Sequence, residues 1–287
     1  MTPVPATPDG IAASLNAVAG LPGVGDHIAR AREACERLRW HEALRRRIPE
    51  ASAESRVRGA QAGAALEGAT VPLDLVRDVM RGAAQWPLEP DPVERVARGV
   101  VQATAESERV RSLVMTAPLQ ALARLHVAAA AGLVDDEQLG RPRVGDEACT
   151  ELGDLGPAPD PRALTTRLDT LVSVMSVGAG VPALVVTSVA HAEIATARPF
   201  VRGNGVVARA VERALVQATG LDPTGVVVTE AGHAAQGGPA YLGALAAYAT
   251  GTPEGLGLWL EHCANAVVAG AAQGEQICDA VRAGRLT

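Results

Sequence analysis

Four arginines and a Gly-Asn-Gly turn crowd one short stretch, residues 197–220, which reads ARPFVRGNGVVARAVERALVQATG. From Val206 on, Val206, Val207, Ala210, Val211, Ala214 and Leu215 recur at helical spacing, and Arg209, Glu212, Arg213 and Gln217 fall on another face. The helix therefore begins at Gly203-Asn204-Gly205. Glycines there allow close backbone approach, and the free amides of a first helical turn carry the positive end of the helix dipole. That combination binds anions. Arg198 and Arg202 precede the turn, and Arg209 follows one turn in. Guanidinium groups so placed favour phosphate or another polyanion, and all three are expected to converge on the amides. A capping turn whose arginines are solvated or paired with carboxylates fits the same residues.

The run Gly203-Asn204-Gly205-Val206-Val207-Ala208 also matches the dinucleotide fingerprint, with Asp222 about twenty residues on. That fingerprint needs a buried strand before its first glycine. Here IATARPFVR precedes it, with Pro199 and two arginines, and only QATGL leads towards Asp222. A nicotinamide oxidoreductase is therefore the most distant reading.

Across the whole chain, all 26 basic residues are Arg. A chain without Lys has no Walker A lysine, no kinase strand lysine and no Schiff-base lysine. The net charge of −6 argues against a general nucleic-acid binder, and the 2 % aromatic content rules out base-stacking platforms. The run from Arg30 to Arg58 holds nine Arg against five Glu, which reads as a solvated helix face. Cys35, Cys149, Cys263 and Cys278 form no CxxC pair, and the six His show no HExxH spacing, so no metal site is expected. Without a long apolar run or a leader pattern, the chain reads as cytoplasmic and free of membrane contact.

The elements that must carry the turn are helical. Residues 1–10, with three Pro, read as a flexible tail. One long helix is expected over 24–48, a second ending at Leu66 with Glu67-Gly68 as its stop, and a short one opened by Pro72. Further helices fit 91–114, 118–132, 161–177, 182–196, 204–219, 239–249 and 253–283. Residues 140–161, rich in Gly, Pro and Asp, form the one long loop. The architecture is all-α, a single body of 287 residues.

The turn and its surroundings resemble the Fic (Fido) family. That family's signature is His-Pro-Phe-x-Asp/Glu-Gly-Asn-Gly-Arg-x-x-Arg; this chain reads Arg198-Pro199-Phe200-Val201-Arg202-Gly203-Asn204-Gly205-Val206-Val207-Ala208-Arg209. His191 stands where the family often has a helical His. Residues 118–143 look like the helix that ends in Gly-x-x-Arg before the family's target-docking flap, and 239–263 like its downstream Tyr-containing and amphipathic helices. The resemblance implies an all-α Fic-like core over 90–287, preceded by an N-terminal helical extension over 11–89. Glu67-Gly68 is similar to the end of the family's inhibitory helix, here about 52–68, with Gly63 at its usual hydroxyl position. Glu67 would then form a bidentate pair with Arg209, partly exposed and worth about 1 kcal/mol or less.

The family's reaction moves AMP from ATP onto a protein hydroxyl, with the His as base, the Asp/Glu on magnesium and the amides and arginines on phosphates. Here the base position is Arg198, which cannot be deprotonated in a protein. His191 lies two helical turns away, roughly 10 Å. The magnesium position is Arg202, and Val206 replaces the first phosphate arginine. What remains is an anion site of Arg202, Gly203, Asn204, Gly205 and Arg209, with Phe200 as motif anchor. The implied function is a pseudoenzyme-like Fic protein that binds ATP, another nucleotide or a phosphorylated small molecule without magnesium. AMP transfer (AMPylation) is expected to be absent or weak. The alternatives left open are an active nucleotidyl or phosphoryl transferase or small-molecule enzyme using the altered pocket, and a non-catalytic regulatory partner of another protein. Residues 144–160 lack the alternating apolar residues of a docking hairpin.

Overall fold

The computed structural model describes residues 8–285. Pro8–Ala19 form α1, Val24–Arg39 α2, Ile48–Leu66 α3 and Leu73–Met80 α4. Pro92–Arg109 form α5, Pro118–Ala130 α6, Pro161–Met175 α7 and Ala183–Ala197 α8. Asn204–Ala218 form α9, Thr229–Gln236 α10, Gly238–Ala249 α11 and Pro253–Arg282 α12. Among the described residues there is no β-strand, and no helix is long and apolar enough to cross a membrane. The expected tail lies mostly outside the described residues, and its last three residues already belong to α1.

The helix expected over 24–48 is divided. α2 stops at Arg39, Trp40 projects into solvent at 81 % exposure, and His41 caps a separate short turn by accepting a hydrogen bond from the Ala43 amide. The next helix then starts at Ile48 with Pro49 in its first turn, a position that needs no amide donor. α10 has no counterpart in the sequence reading. Its eight residues, TEAGHAAQ, carry too few large apolar side chains to show a periodicity.

α8 and α9 form the centre. α8 is buried along its length except at Ala183 and Glu193, and every residue of α9 from Asn204 to Gln217 is buried. α5 and α6 cover α9 on one side, and α12 lies against α8. There Trp259 is wholly buried, and its indole donates to the Ser188 carbonyl at 2.8 Å. α2 and α3 pack on α12 and α10, so the N-terminal helices share the core.

α5 approaches α6 through Gly99. A methyl group there would come within 2.1 Å of the Ala129 carbonyl, and a backbone atom cannot swing aside. Gly99→Ala is therefore expected to force α5 and α6 apart. Urea unfolding should show a loss of about 1–3 kcal/mol, the usual cost of overpacking.

Candidate functional site

The turn before α9 is held by one side chain. Asn204 Oδ1 accepts from the Phe200 amide at 2.9 Å, and its Nδ2 donates to the Phe200 carbonyl at 2.9 Å. Gly203 sits at φ 83°, where a side chain would be strained. Phe200 is buried and stacks on His126, with ring centroids 3.9 Å apart and planes 5° apart. His126 Nε2 donates to the Arg202 carbonyl at 3.1 Å, and its Nδ1 accepts from the Gly140 amide at 2.9 Å. The motif turn, α6 and the start of the long loop are thereby joined through one neutral imidazole.

The amides at the α9 N-terminus are occupied by a residue that sequence reasoning missed. Glu151, from the long loop, accepts from the Gly203 amide at 2.7 Å, the Asn204 amide at 3.0 Å and Asn204 Nδ2 at 3.1 Å. Arg202 is half exposed, its Nε 3.9 Å from the same carboxylate. The turn thus accepts an anion, and that anion is the chain's own. Nothing in the sequence separates Glu151 from Asp146, Glu147 and Asp154 in the same acidic loop.

Arg209 and Glu67 meet beside Gly205, with Arg209 Nη2 donating to Glu67 Oε1 at 2.5 Å. The expected contact is present through one nitrogen and one oxygen rather than bidentate, and only its Glu67 end is partly exposed. The other guanidinium nitrogen, Nη1, points at the Tyr241 hydroxyl at 3.4 Å, and Arg209 itself is buried. Burial would lower the Arg209 pKa, yet Glu67 and the Tyr241 dipole hold the guanidinium firmly charged. Tyr241 passes the network inward. Its hydroxyl lies 2.7 Å from His191 Nε2, while His191 Nδ1 and His233 Nε2 both donate to Glu212 Oε2, at 2.7 and 2.9 Å. His262 Nε2 lies 3.1 Å from His233 Nδ1. With Tyr241 and His262 donating, neutral imidazoles satisfy every contact in this chain. His191 is thus a core residue linked to Arg209, and Glu212, His233 and His262 are partners the sequence did not reveal.

Arg198 departs from expectation. It does not converge on the amides with Arg202 and Arg209. Its backbone is left-handed, φ 46° and ψ 63°, at the end of α8. The side chain instead donates through Nη1 to the carbonyls of Glu151 and Leu152, at 3.2 and 3.3 Å. It lines a separate cavity. The cavity at the amides has a volume of about 230 Å³ and is walled by Glu67, Glu151, Arg202, Gly203, Gly205 and Val206, among others. Drug-sized ligands occupy about 300–1,000 Å³, so a nucleotide needs the two carboxylates to withdraw.

Burial pushes His126 down to about 4 and His262 down to about 3. A depressed histidine binds its proton in the unfolded chain first. Its stability contribution is complete above the usual 6.5 and is lost as pH falls towards the folded value. Stability should therefore fall between pH 6.5 and 5. His126→Gln, which can keep both hydrogen bonds, should flatten that slope by up to one proton, about 1.4 kcal/mol per pH unit. Chemical unfolding at stepped pH measures it; an unchanged slope would contradict the assignment.

No protein-family model matches the chain, and no curated protein is similar to it in sequence. Solved structures are similar in fold. A Fic family protein from Desulfovibrio desulfuricans G20 aligns over 88 % of this chain and 74 % of its own, with 21 % identity and a TM-score of 0.69. Fic-1 (residues 134–508) from C. elegans aligns over 96 % of this chain and 83 % of its own, with 16 % identity and a TM-score of 0.62. A Fic domain containing signaling protein from Bacteroides thetaiotaomicron VPI-5482 aligns over 88 % and 98 %, with 12 % identity and a TM-score of 0.59. The helices that hold Arg198, the Gly-Asn-Gly turn and Arg209 therefore belong to a Fic fold.

Proposed function

We propose that this chain is a Fic-like protein that binds a nucleotide or another phosphorylated ligand at the α9 N-terminus, without His-and-magnesium AMP transfer. The observation that carries the reading is the carboxylate of Glu151 on the Gly203 and Asn204 amides. A phosphate oxygen can replace it on the same donors. Arg209, one turn further along α9, offers a second cationic contact once Glu67 withdraws. A chain of phosphoryl groups would engage both positions at once.

Magnesium does not fit these residues. The position that carries a carboxylate in the Fic signature is Arg202, and the two carboxylates that do face the cavity are committed to amides and to Arg209. Arg198 supplies no base, and its guanidinium is turned onto loop carbonyls. Arg198→His is accordingly expected to restore no AMP transfer. Incubation of wild type and variant with labelled ATP and candidate acceptor proteins tests this, and robust labelling by the wild type would sink the reading.

Binding is tested with pyrophosphate and ATP by calorimetry. Affinity should survive EDTA and weaken as salt rises. Glu67→Gly and Glu151→Gln should each tighten pyrophosphate binding, on the order of tenfold, because each removes a charge-assisted competitor worth about 1.5–3 kcal/mol. Glu67→Gly should also cost about 2 kcal/mol of stability, more than a surface pair, because it strands a buried guanidinium. Strict dependence on magnesium, or no binding even to the double variant, would contradict the proposal.

A further inference from the structure

Arg198 leads to a second cavity, of about 390 Å³, among the end of α8, α11 and the long loop. Its polar wall is Arg198, Arg167, Glu193, Thr196 and Tyr248. Its apolar wall includes Leu155, Pro157, Pro159 and Leu256. It is distinct from the cavity at the Gly203 and Asn204 amides, with no lining residue in common.

The charges around it do not balance. Arg167 is answered by Glu193, at 2.9 Å, and Tyr248 donates to the other oxygen of Glu193 at 2.7 Å. Arg198, 2 % exposed, forms no ion pair and spends only Nη1, on two carbonyls. Its Nε is buried with no hydrogen-bond partner. Arg143, which holds the Arg198 carbonyl at 2.8 Å, is also buried and bonds only to carbonyls, those of Arg198, Glu147 and Pro159. Two cations are thus buried side by side with neutral acceptors alone. Burial pushes the Arg198 pKa down, and Arg143 and Arg167 push it the same way. The nearby Cys149 thiol is raised by burial and offers no charge at neutral pH. An uncompensated buried charge is expensive, and proteins keep one where a partner arrives.

The backbone is strained at the same point. Arg198 and Leu152 are the two non-glycine residues at positive φ among those described, and Arg198 Nη1 bonds the Leu152 carbonyl. Such strain persists where surrounding structure enforces it, often at a ligand site.

We infer that this cavity is a second binding site, for a small organic carboxylate with an apolar body, received by Arg198. The Nε–Nη2 edge of a guanidinium matches a carboxylate with two parallel hydrogen bonds. Nη2 is left without a hydrogen bond and receives the carboxylate first; Nε, unpartnered but covered in this structure, joins it after a small shift of the side chain. Leu155, Leu256 and the prolines would cover the ligand's apolar part. The site does not depend on nucleotide binding at the amides.

The test uses the whole chain with benzoate as probe and benzamide as its neutral isostere. Calorimetry should show benzoate binding at least about tenfold tighter than benzamide. Pyrophosphate should not displace it. Arg198→Asn, a residue that tolerates the left-handed backbone, should abolish the preference. Leu256→Trp, which fills the cavity from its apolar wall, should block binding should Arg198→Asn fail to fold. Equal binding of benzoate and benzamide, binding of neither, or benzoate binding that survives both variants would overturn the inference. Inorganic phosphate binding in place of benzoate would overturn the ligand class. Displacement of benzoate by pyrophosphate would assign the probe to the amides and overturn the second site, leaving the phosphate reading standing.

Discussion

The side-chain amide of Asn204 closes on both backbone groups of Phe200 and still reaches Glu151. Everything at the site depends on that clamp. It fixes the chain between α8 and α9 into a turn tight enough to leave the Gly203 and Asn204 amides pointing outward. It sets Phe200 against His126, and His126 holds the Arg202 carbonyl and the Gly140 amide. The loop beyond Gly140 then brings Glu151 back to the same amides. An Asp in place of Asn204 would keep the acceptor but lose the bonds donated to Phe200, Glu151 and Cys149 and repel Glu151. An aliphatic residue would lose all of them.

α9 imposes a second constraint, because it buries charge on every side. Arg209 is answered by Glu67 at the end of α3, and Glu212 accepts hydrogen bonds from His191 of α8 and His233 of α10. Arg213 forms a bidentate pair with Glu230 of α10, at 2.6 and 2.7 Å, and also donates to Ser55 of α3. Breaking any of these leaves a buried ion alone, which costs far more than the pair contributes. These contacts therefore act on register. They require α3, α8 and α10 to meet α9 at particular turns, where apolar packing alone would tolerate sliding.

The helices were legible because their signals are local. Apolar spacing, proline at first turns and glycine stops placed most elements to within a few residues. Arg39-Trp40 looked like continued helix because no local residue forbids it; the break comes from the separate turn that His41 caps. The anion turn was legible for the same local reason. Its occupant was not, since Glu151 reaches the amides from 52 residues away across a loop without periodicity. The orientation of Arg198 was misread because spacing says nothing of a left-handed backbone at a non-glycine residue. His191 stood out as a lone helical histidine, but its hydrogen-bond partners, Glu212 and Tyr241, lie on two other helices.

Gly59 carries a consequence for how the anion site can open. A side chain there would collide with Arg213 at 2.4 Å and Glu230 at 2.9 Å, so α3 is pressed against that ion pair at its middle. Glu67 lies about two turns further along the same helix. α3 is therefore held at its middle, and Gly63 and Ala64, buried against α5, hold it again one turn before its end. Freeing Arg209 therefore calls for a change of rotamer at Glu67, the cap residue just past the packed end of α3, and the N-terminal helices need not peel away. Side-chain rotations run on picosecond-to-nanosecond scales. The gate would respond to whatever grips the 63–68 segment, at a rate far above that of a hinged domain.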